Sequence, residues 1–223
     1  MAPVPRLADS HTTRLLVFAK APVPGRVKTR LMPGLTAQAC TRLHRRLILH
    51  TLITATTANL YPVELWCAPD CTHPFFSACA KRFGVGLNSQ RGTDLGERMY
   101  LALVAALKYT DHAIIIGCDC PALDGRYLAR AFDTLASGAP VVLGPAEDGG
   151  YVLIGMCSTT LAGTQARAIF EHIAWGTQNV LALTRARLRE QGLCWHELAT
   201  LWDVDRPADL IRLHQSHLIL PCA

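Results

Sequence analysis

The sequence predicts a three-layer α/β/α domain built on a mostly parallel β-sheet. Short apolar runs at 15–19 and 113–117 have the character of strands covered on both faces. Amphipathic stretches alternate with such runs along the chain, the pattern of repeated βα units. Glycine, proline and charged residues then cluster directly after the runs, where an open parallel sheet collects its ligands.

Residues 1–12 carry no periodic apolar pattern and read as a mobile leader, so a single domain is expected over 13–223. The run 15–19 is the first strand. Leu35, Ala39, Leu43 and Leu47, followed by Leu52 and Ala55, mark one face of a helix. A strand at 61–68, a helix at 74–83 and a short strand at 85–88 follow. Leu95, Met99, Leu103 and Ala106 mark the next helix, and 113–117 is the most apolar strand. Beyond it we expect a helix at 126–136, strands at 140–143 and 151–156, a helix at 177–191, a strand at 193–198 and a helix at 207–215. No internal repeat is visible.

Half of the 223 residues are hydrophobic and 17% are charged, the balance of a chain with a sizeable core. The net charge of +5 suits an anionic ligand but is too small and dispersed for a nucleic-acid groove, so no nucleic-acid partner is expected. The densest basic stretch, 42–46, reads as the solvated face of a helix. Nine cysteines without a disulfide framework point to a reducing, cytoplasmic compartment. Cys67, Cys71 and Cys79 lack paired zinc-ligand spacing and read as small buried hydrophobes. No apolar run approaches the roughly 20 residues that a membrane span needs.

Four loops carry chemistry. After the first strand, 20–31 combines two prolines and Gly25 with Lys20, Arg26, Lys28 and Arg30, a composition suited to phosphate. It is not a Walker loop, because Lys20 stands where the first glycine would be needed. After the strand 113–117, Asp119 is placed to hold a hard cation such as Mg²⁺ or Mn²⁺ against diphosphate oxygens. The segment 144–151 sets Glu147 and Asp148 beside Gly149, Gly150 and Tyr151, and is read as a contact for a sugar, an acceptor or a metal, with Asp148 as a polar contact or general base; both acids are also common turn residues. In 202–207, Asp203 and Asp205 alternate on an extended segment, and one of them is expected to complete the metal site; capping of the last helix is the other role open to Asp205. The segment 90–99 has two readings: Gly92, Asp94 and Arg98 contact an anionic ligand, or Thr93 and Asp94 cap the following helix.

Taken together, KAPVPGRVKTRL, GTDLGERM, IIIGCDCPAL, GPAEDGGYVLIGM, WGTQNVLALT and WDVDRPADL resemble a bacterial family of glycosyltransferase A-like (GT-A-like) proteins related to nucleotide-diphospho-sugar transferases. The resemblance runs from Leu15 through nearly the whole chain. It implies the nucleotide-diphospho-sugar transferase fold, with Lys20, Pro24, Gly25, Lys28 and Arg30 on the nucleotide side and Asp119 on the metal with Asp205 or Asp203. Many members of the wider fold carry an Asp-x-Asp pair, whereas here Cys120 and Pro121 follow Asp119. The implied activity is metal-dependent transfer from a nucleotide sugar to a small-molecule acceptor, with Asp119, Asp148 and Lys28 as the catalytic set. The alternatives are nucleotidyl transfer from an NTP with release of pyrophosphate, and a nucleotide-binding module without turnover.

Overall fold

The computed structural model describes residues 13–57, 61–161, 165–216, 218 and 220–221; the expected leader, 1–12, lies outside them. The strands are β1 (Thr13–Lys20), β2 (Val63–Ala68), β3 (Gly86–Ser89), β4 (His112–Ile116), β5 (Val141–Pro145), β6 (Tyr151–Cys157) and β7 (His196–Glu197). The helices are α1 (Ala37–Thr57), α2 (Pro74–Phe83), α3 (Leu95–Leu107), α4 (Gly125–Ala136), α5 (Ser158–Leu161), α6 (Gln165–Ala168), α7 (Val180–Glu190) and α8 (Pro207–Gln215).

One seven-stranded sheet results, in the order β3-β2-β1-β4-β6-β5-β7. All neighbours pair in parallel except β6, which lies antiparallel between β4 and β5, with Ile115 opposite Ile154 and Leu143 opposite Ile154. The sheet is therefore mostly parallel, as expected. The orientation of β6 follows from its short connection to β5, since a parallel return would need a crossover of a dozen or more residues.

Period-2 alternation along the central strands makes the three layers. Leu15, Val17, Ile114 and Ile116 face one way and pack on Ile48 and Leu52 of α1, Phe76 of α2 and Leu128 of α4. Leu16, Phe18, Ala113 and Ile115 face the other way onto Met99 and Leu103 of α3 and Leu181 and Leu188 of α7. Both faces are sealed, which explains why these strands read as continuous apolar runs. Each fully buried Leu or Ile contributes about 1.5–3 kcal/mol.

Two differences from the sequence expectation stand out. The strand expected at 193–198 contracts to the two residues of β7, an edge strand paired only with β5. The helix expected at 177–191 begins only at Val180, because Trp175 to Asn179 form a loop across the sheet's carboxyl end. Among the described residues no helix is long and apolar enough to cross a membrane. The eight described cysteines are all unpaired; Cys67 and Cys79 are buried, in line with the packing role read for them, while Cys71 is partly exposed.

Candidate functional site

The strand order runs outward from β1 in one direction through β2 and in the other through β4, so a switch point lies between β1 and β4. Ligands of open α/β sheets settle at such a point. Lys28 follows β1 and Asp119 follows β4, so the two residues meet across it.

Lys28 adopts the left-handed conformation at φ 51° immediately before the 3-10 turn Thr29–Leu31. A non-glycine residue there is strained, and such strain persists where surrounding structure over-determines it. Here the restraint is polar: the Lys28 ammonium lies 2.7 Å from Asp119 Oδ1 and donates to the carbonyl of Val204. Val204 N–H in turn donates to the Asp119 carbonyl at 2.8 Å. The basic loop, the segment after β4 and the closing acidic segment are thus tied into one unit. Val204, Leu31, Cys40 and Trp202 form a small apolar cluster beneath it.

The two sides of the Lys28–Asp119 pair differ in exposure. The Lys28 side chain is 3% exposed and that of Asp119 is 47% exposed. Oδ1 of Asp119 is itself buried, so the open part of the carboxylate faces the cleft. Burial pushes the Asp119 carboxyl up, but the Lys28 ammonium and His44 outweigh it and the net displacement is downward.

His44 corrects the reading of 42–46 as a wholly solvated face. It is buried in α1, Nε2 bonds the Lys20 carbonyl at 2.9 Å, and Nδ1 stands 4.0 Å from Asp119 Oδ1. Its spacing from Cys40 and Ile48, four residues to either side, was the available signal. Desolvation lowers its pKa, against the pull of Asp119.

A cleft of about 730 Å³ opens in front of this pair, lined by Lys20, Arg26, His44, Gln90, Arg98 and Asp119 with Phe18, Ala68 and Pro69. Lys20 and Arg26 are exposed, and their cationic groups are the ones available to an anion. Pro24 and Gly25 shape the turn and do not line the cleft; Gly25, at φ 76°, supplies the backbone sign the turn requires. Arg98 borders the cleft while its Nε donates to the Gly92 carbonyl at 3.1 Å. Asp94 caps α3, accepting from Glu97 N–H at 2.8 Å, and Glu97 reaches back to Thr93 N–H at 2.7 Å. The capping reading therefore accounts for Asp94.

A second cleft of about 680 Å³ has the opposite character, lined by Glu147, Asp148, Asp203, Asp205 and Asp209 against Arg30 and Arg206. Arg30 is engaged here and not on the cationic side: it bonds Asp205 at 2.6 Å and the Gly176 carbonyl at 2.9 Å. Glu147 pairs with Arg212 at 2.6 Å. Asp148 Oδ1 accepts from Gly150 N–H at 2.8 Å in a tight turn. Among the described residues no cation pairs with Asp203. Burial, with Asp148 and Asp119 nearby, pushes its carboxyl up to about 7.

An acid whose pKa is higher in the folded than in the unfolded chain stabilises at low pH, and that contribution is lost as pH rises from about 4 through about 7. Asp203→Asn should therefore raise the Tm relative to the parent at pH 8 and leave it nearly unchanged at pH 4. Thermal melts at the two pH values check this, and an equal shift at both would contradict it.

The glycines of the separate motifs serve one another. A Cβ on Gly149, at φ 88°, would lie 2.0 Å from the Gln178 carbonyl oxygen, so the 147–150 turn and the loop before α7 touch backbone to backbone. A Cβ on Gly96 would lie 2.5 Å from the Trp175 ring. Nothing local in 144–151 marks Trp175 or Gln178 as neighbours of Gly149, Gly150 and Tyr151.

The profile of the family described as "Uncharacterized protein conserved in bacteria (DUF2064)" matches residues 51–177, more than half of the chain. The chain belongs to DUF2064. No curated protein matches this DUF2064 sequence. Among solved structures, a candidate nucleotide-diphospho-sugar transferase from Desulfovibrio desulfuricans G20 is 28% identical, with 92% of this chain and 87% of that one covered and a TM-score of 0.81. CMP:2-keto-3-deoxy-manno-octonic acid synthetase in complex with CTP is 12% identical, covers 92% and 98%, and has a TM-score of 0.59. Rv0371c from Mycobacterium tuberculosis H37Rv in complex with manganese is 16% identical, covers 92% and 99%, and has a TM-score of 0.54. The DUF2064 chain shares the nucleotide-diphospho-sugar transferase fold with these proteins.

Among the described residues no three His, Cys, Asp or Glu side chains form a ready-made metal cage. Mg²⁺ is usually held by one or two carboxylates together with substrate phosphates and water. The open edge of Asp119 and the uncompensated Asp203 fit that role. Asp205, paired to Arg30, is already neutralised.

Proposed function

We propose that this chain is a divalent-metal-dependent transferase that takes a nucleotide sugar as donor and passes the sugar to a hydroxyl of a small-molecule acceptor. The observation that carries this reading is the separation of charge on either side of Asp119: a cationic cleft with Lys20, Arg26 and Arg98, and an acidic one with Asp148 and Asp203. The first suits the diphosphate of the donor. The second disfavours a phosphorylated acceptor and suits a neutral hydroxyl that must lose a proton.

In this reading Lys20 and Arg26 bind the diphosphate, and Lys28 holds the Asp119 carboxylate in place from below. Asp148 takes the proton of the acceptor hydroxyl as its oxygen bonds the anomeric carbon and the bond from that carbon to the diphosphate breaks. Mg²⁺ or Mn²⁺, held by Asp119 and Asp203, would neutralise the charge that builds on the departing diphosphate. The likeness to the Desulfovibrio desulfuricans protein supports the donor class.

The test is release of nucleoside diphosphate from a panel of nucleotide sugars with Mn²⁺ and small alcohols. Asp148→Asn should lower transfer by about 10²–10⁴-fold, the usual contribution of a general base. No release from any donor would sink the proposal. One observation favours a second reading, nucleotidyl transfer: Asp119 has no second acid after it, only Cys120 and Pro121. Pyrophosphate released from an NTP would establish that reaction in its place.

A further inference from the structure

A smaller cavity of about 200 Å³ lies between the two clefts. It shares Phe18 and Leu95 with the cationic cleft and Arg30 and Asp148 with the acidic one, so its occupant can touch both. Its walls are mostly apolar, interrupted by Arg30, Asp148 and Thr177. Met99, Trp175 and Val180 line it, and Tyr151 stands edge-on to Trp175 with ring centroids 6.4 Å apart. The indole is seated there because Gly96 offers no Cβ to displace it.

Most polar groups of this cavity are already engaged: Thr177 Oγ1 donates to the Ala174 carbonyl at 2.8 Å and Asp148 Oδ1 accepts from Gly150 N–H at 2.8 Å. The Arg30 guanidinium is already bonded to Asp205 and to the Gly176 carbonyl. Hydroxyls placed against the aliphatic and aromatic wall would give up water without replacement bonds, which is costly. Leu95 is 43% exposed at the start of α3, an apolar side chain left on the rim. The volume falls below the roughly 300–1,000 Å³ of sites for drug-sized ligands, so it suits one small ring or a short branched chain.

We propose that this cavity is the acceptor subsite and that it selects an uncharged alcohol with a compact apolar body, presenting the hydroxyl to Asp148 at the mouth. Its role as an acceptor site rests on the transferase reading; its preference for apolar ligands does not. An anionic acceptor is disfavoured by the same Asp148 and by Asp203 beyond it.

Saturation-transfer NMR on the full chain, with cyclohexanol and glucose as probes at equal concentration, tests the preference. Cyclohexanol is expected to bind in the millimolar range and glucose at least roughly tenfold more weakly. Val180→Phe, which places a ring in the cavity, should weaken cyclohexanol about tenfold. Leu95→Gln, on the exposed rim where folding tolerates it, should weaken it by a smaller factor. Glucose binding as well as cyclohexanol, or both variants binding cyclohexanol as the parent does, would overturn the proposal. Thermal stabilisation by nucleotide sugars, measured on the same samples, separates the two readings. If nucleotide sugars fail to stabilise while cyclohexanol binds, the transferase reading and the acceptor role fall; if they stabilise while cyclohexanol does not bind, this proposal alone falls.

Discussion

Replacing Lys28 by methionine is expected to reduce turnover by about 10–100-fold, the usual cost of removing a partner that orients a metal-holding carboxylate. The same change should also destabilise the fold. The ammonium holds both Asp119 Oδ1 and the Val204 carbonyl, and methionine fills much of the volume while leaving both acceptors without a partner. Breaking a fully buried pair costs about 3–5 kcal/mol; the half-open Asp119 carboxylate reduces this to roughly 1–3 kcal/mol. The pH dependence distinguishes loss of the pair from simple loss of packing. In the parent protein the Asp119 carboxyl lies below its ordinary range, so its contribution is present above the unfolded pKa and fades as pH falls through the folded one. In Lys28→Met, burial acts without the opposing cation and the carboxyl rises. The Tm deficit should therefore be larger at pH 7.5 than at pH 4. Melts across that range check it, and a deficit independent of pH would mean that the pair contributes nothing beyond packing.

Gly149→Ala is expected to be the most destabilising single-methyl change among these motifs, while Gly150→Ala is expected to be mild. At Gly149 a Cβ meets the Gln178 carbonyl oxygen at 2.0 Å and the backbone sits at φ 88°. The obstacle is backbone, so one of the two loops must move. The strained φ alone costs about 1–3 kcal/mol, and displacement of the loop adds to it, for a Tm drop on the order of 10 °C in a domain of this size. Movement of the loop would also strain the bond from Leu181 N–H to the Gly149 carbonyl, 2.9 Å long at the start of α7. At Gly150 the nearest atom to a new Cβ is the Asp148 Oδ1 side-chain oxygen at 3.1 Å, which can yield. Paired thermal melts check the contrast; equal shifts for the two variants would show that the 149–178 contact is not maintained in solution.

The order and type of most elements were legible because their signals are local. Continuous apolar runs at 15–19 and 113–117 and four-residue spacing through α1 reflect which side chains a strand or helix must bury, and those patterns survive in the linear chain. The short edge strand β7 and the delayed start of α7 were not legible, since both depend on what lies beside the segment. Asp119, Lys28 and Asp148 could be singled out because charged residues directly after buried strands are conspicuous. The partners of Arg30 could not. Its guanidinium was expected on phosphate and is found on Asp205, 175 residues away in sequence. His44 carries no such signal, because a histidine among arginines has the character of a solvated side chain until the helix packs against β1.

A three-layer α/β/α fold and the loops in which charged residues gather can be read from the linear chain, since hydrophobic periodicity and turn chemistry act over a few residues. Which charges neutralise one another follows from the folded chain: Lys28 with Asp119, Arg30 with Asp205 and Glu147 with Arg212, leaving Asp203 without a cation among the described residues and pushed up to about 7. The physical reason is that electrostatic pairing and desolvation depend on distance through space, and the fold brings together residues that the chain keeps far apart.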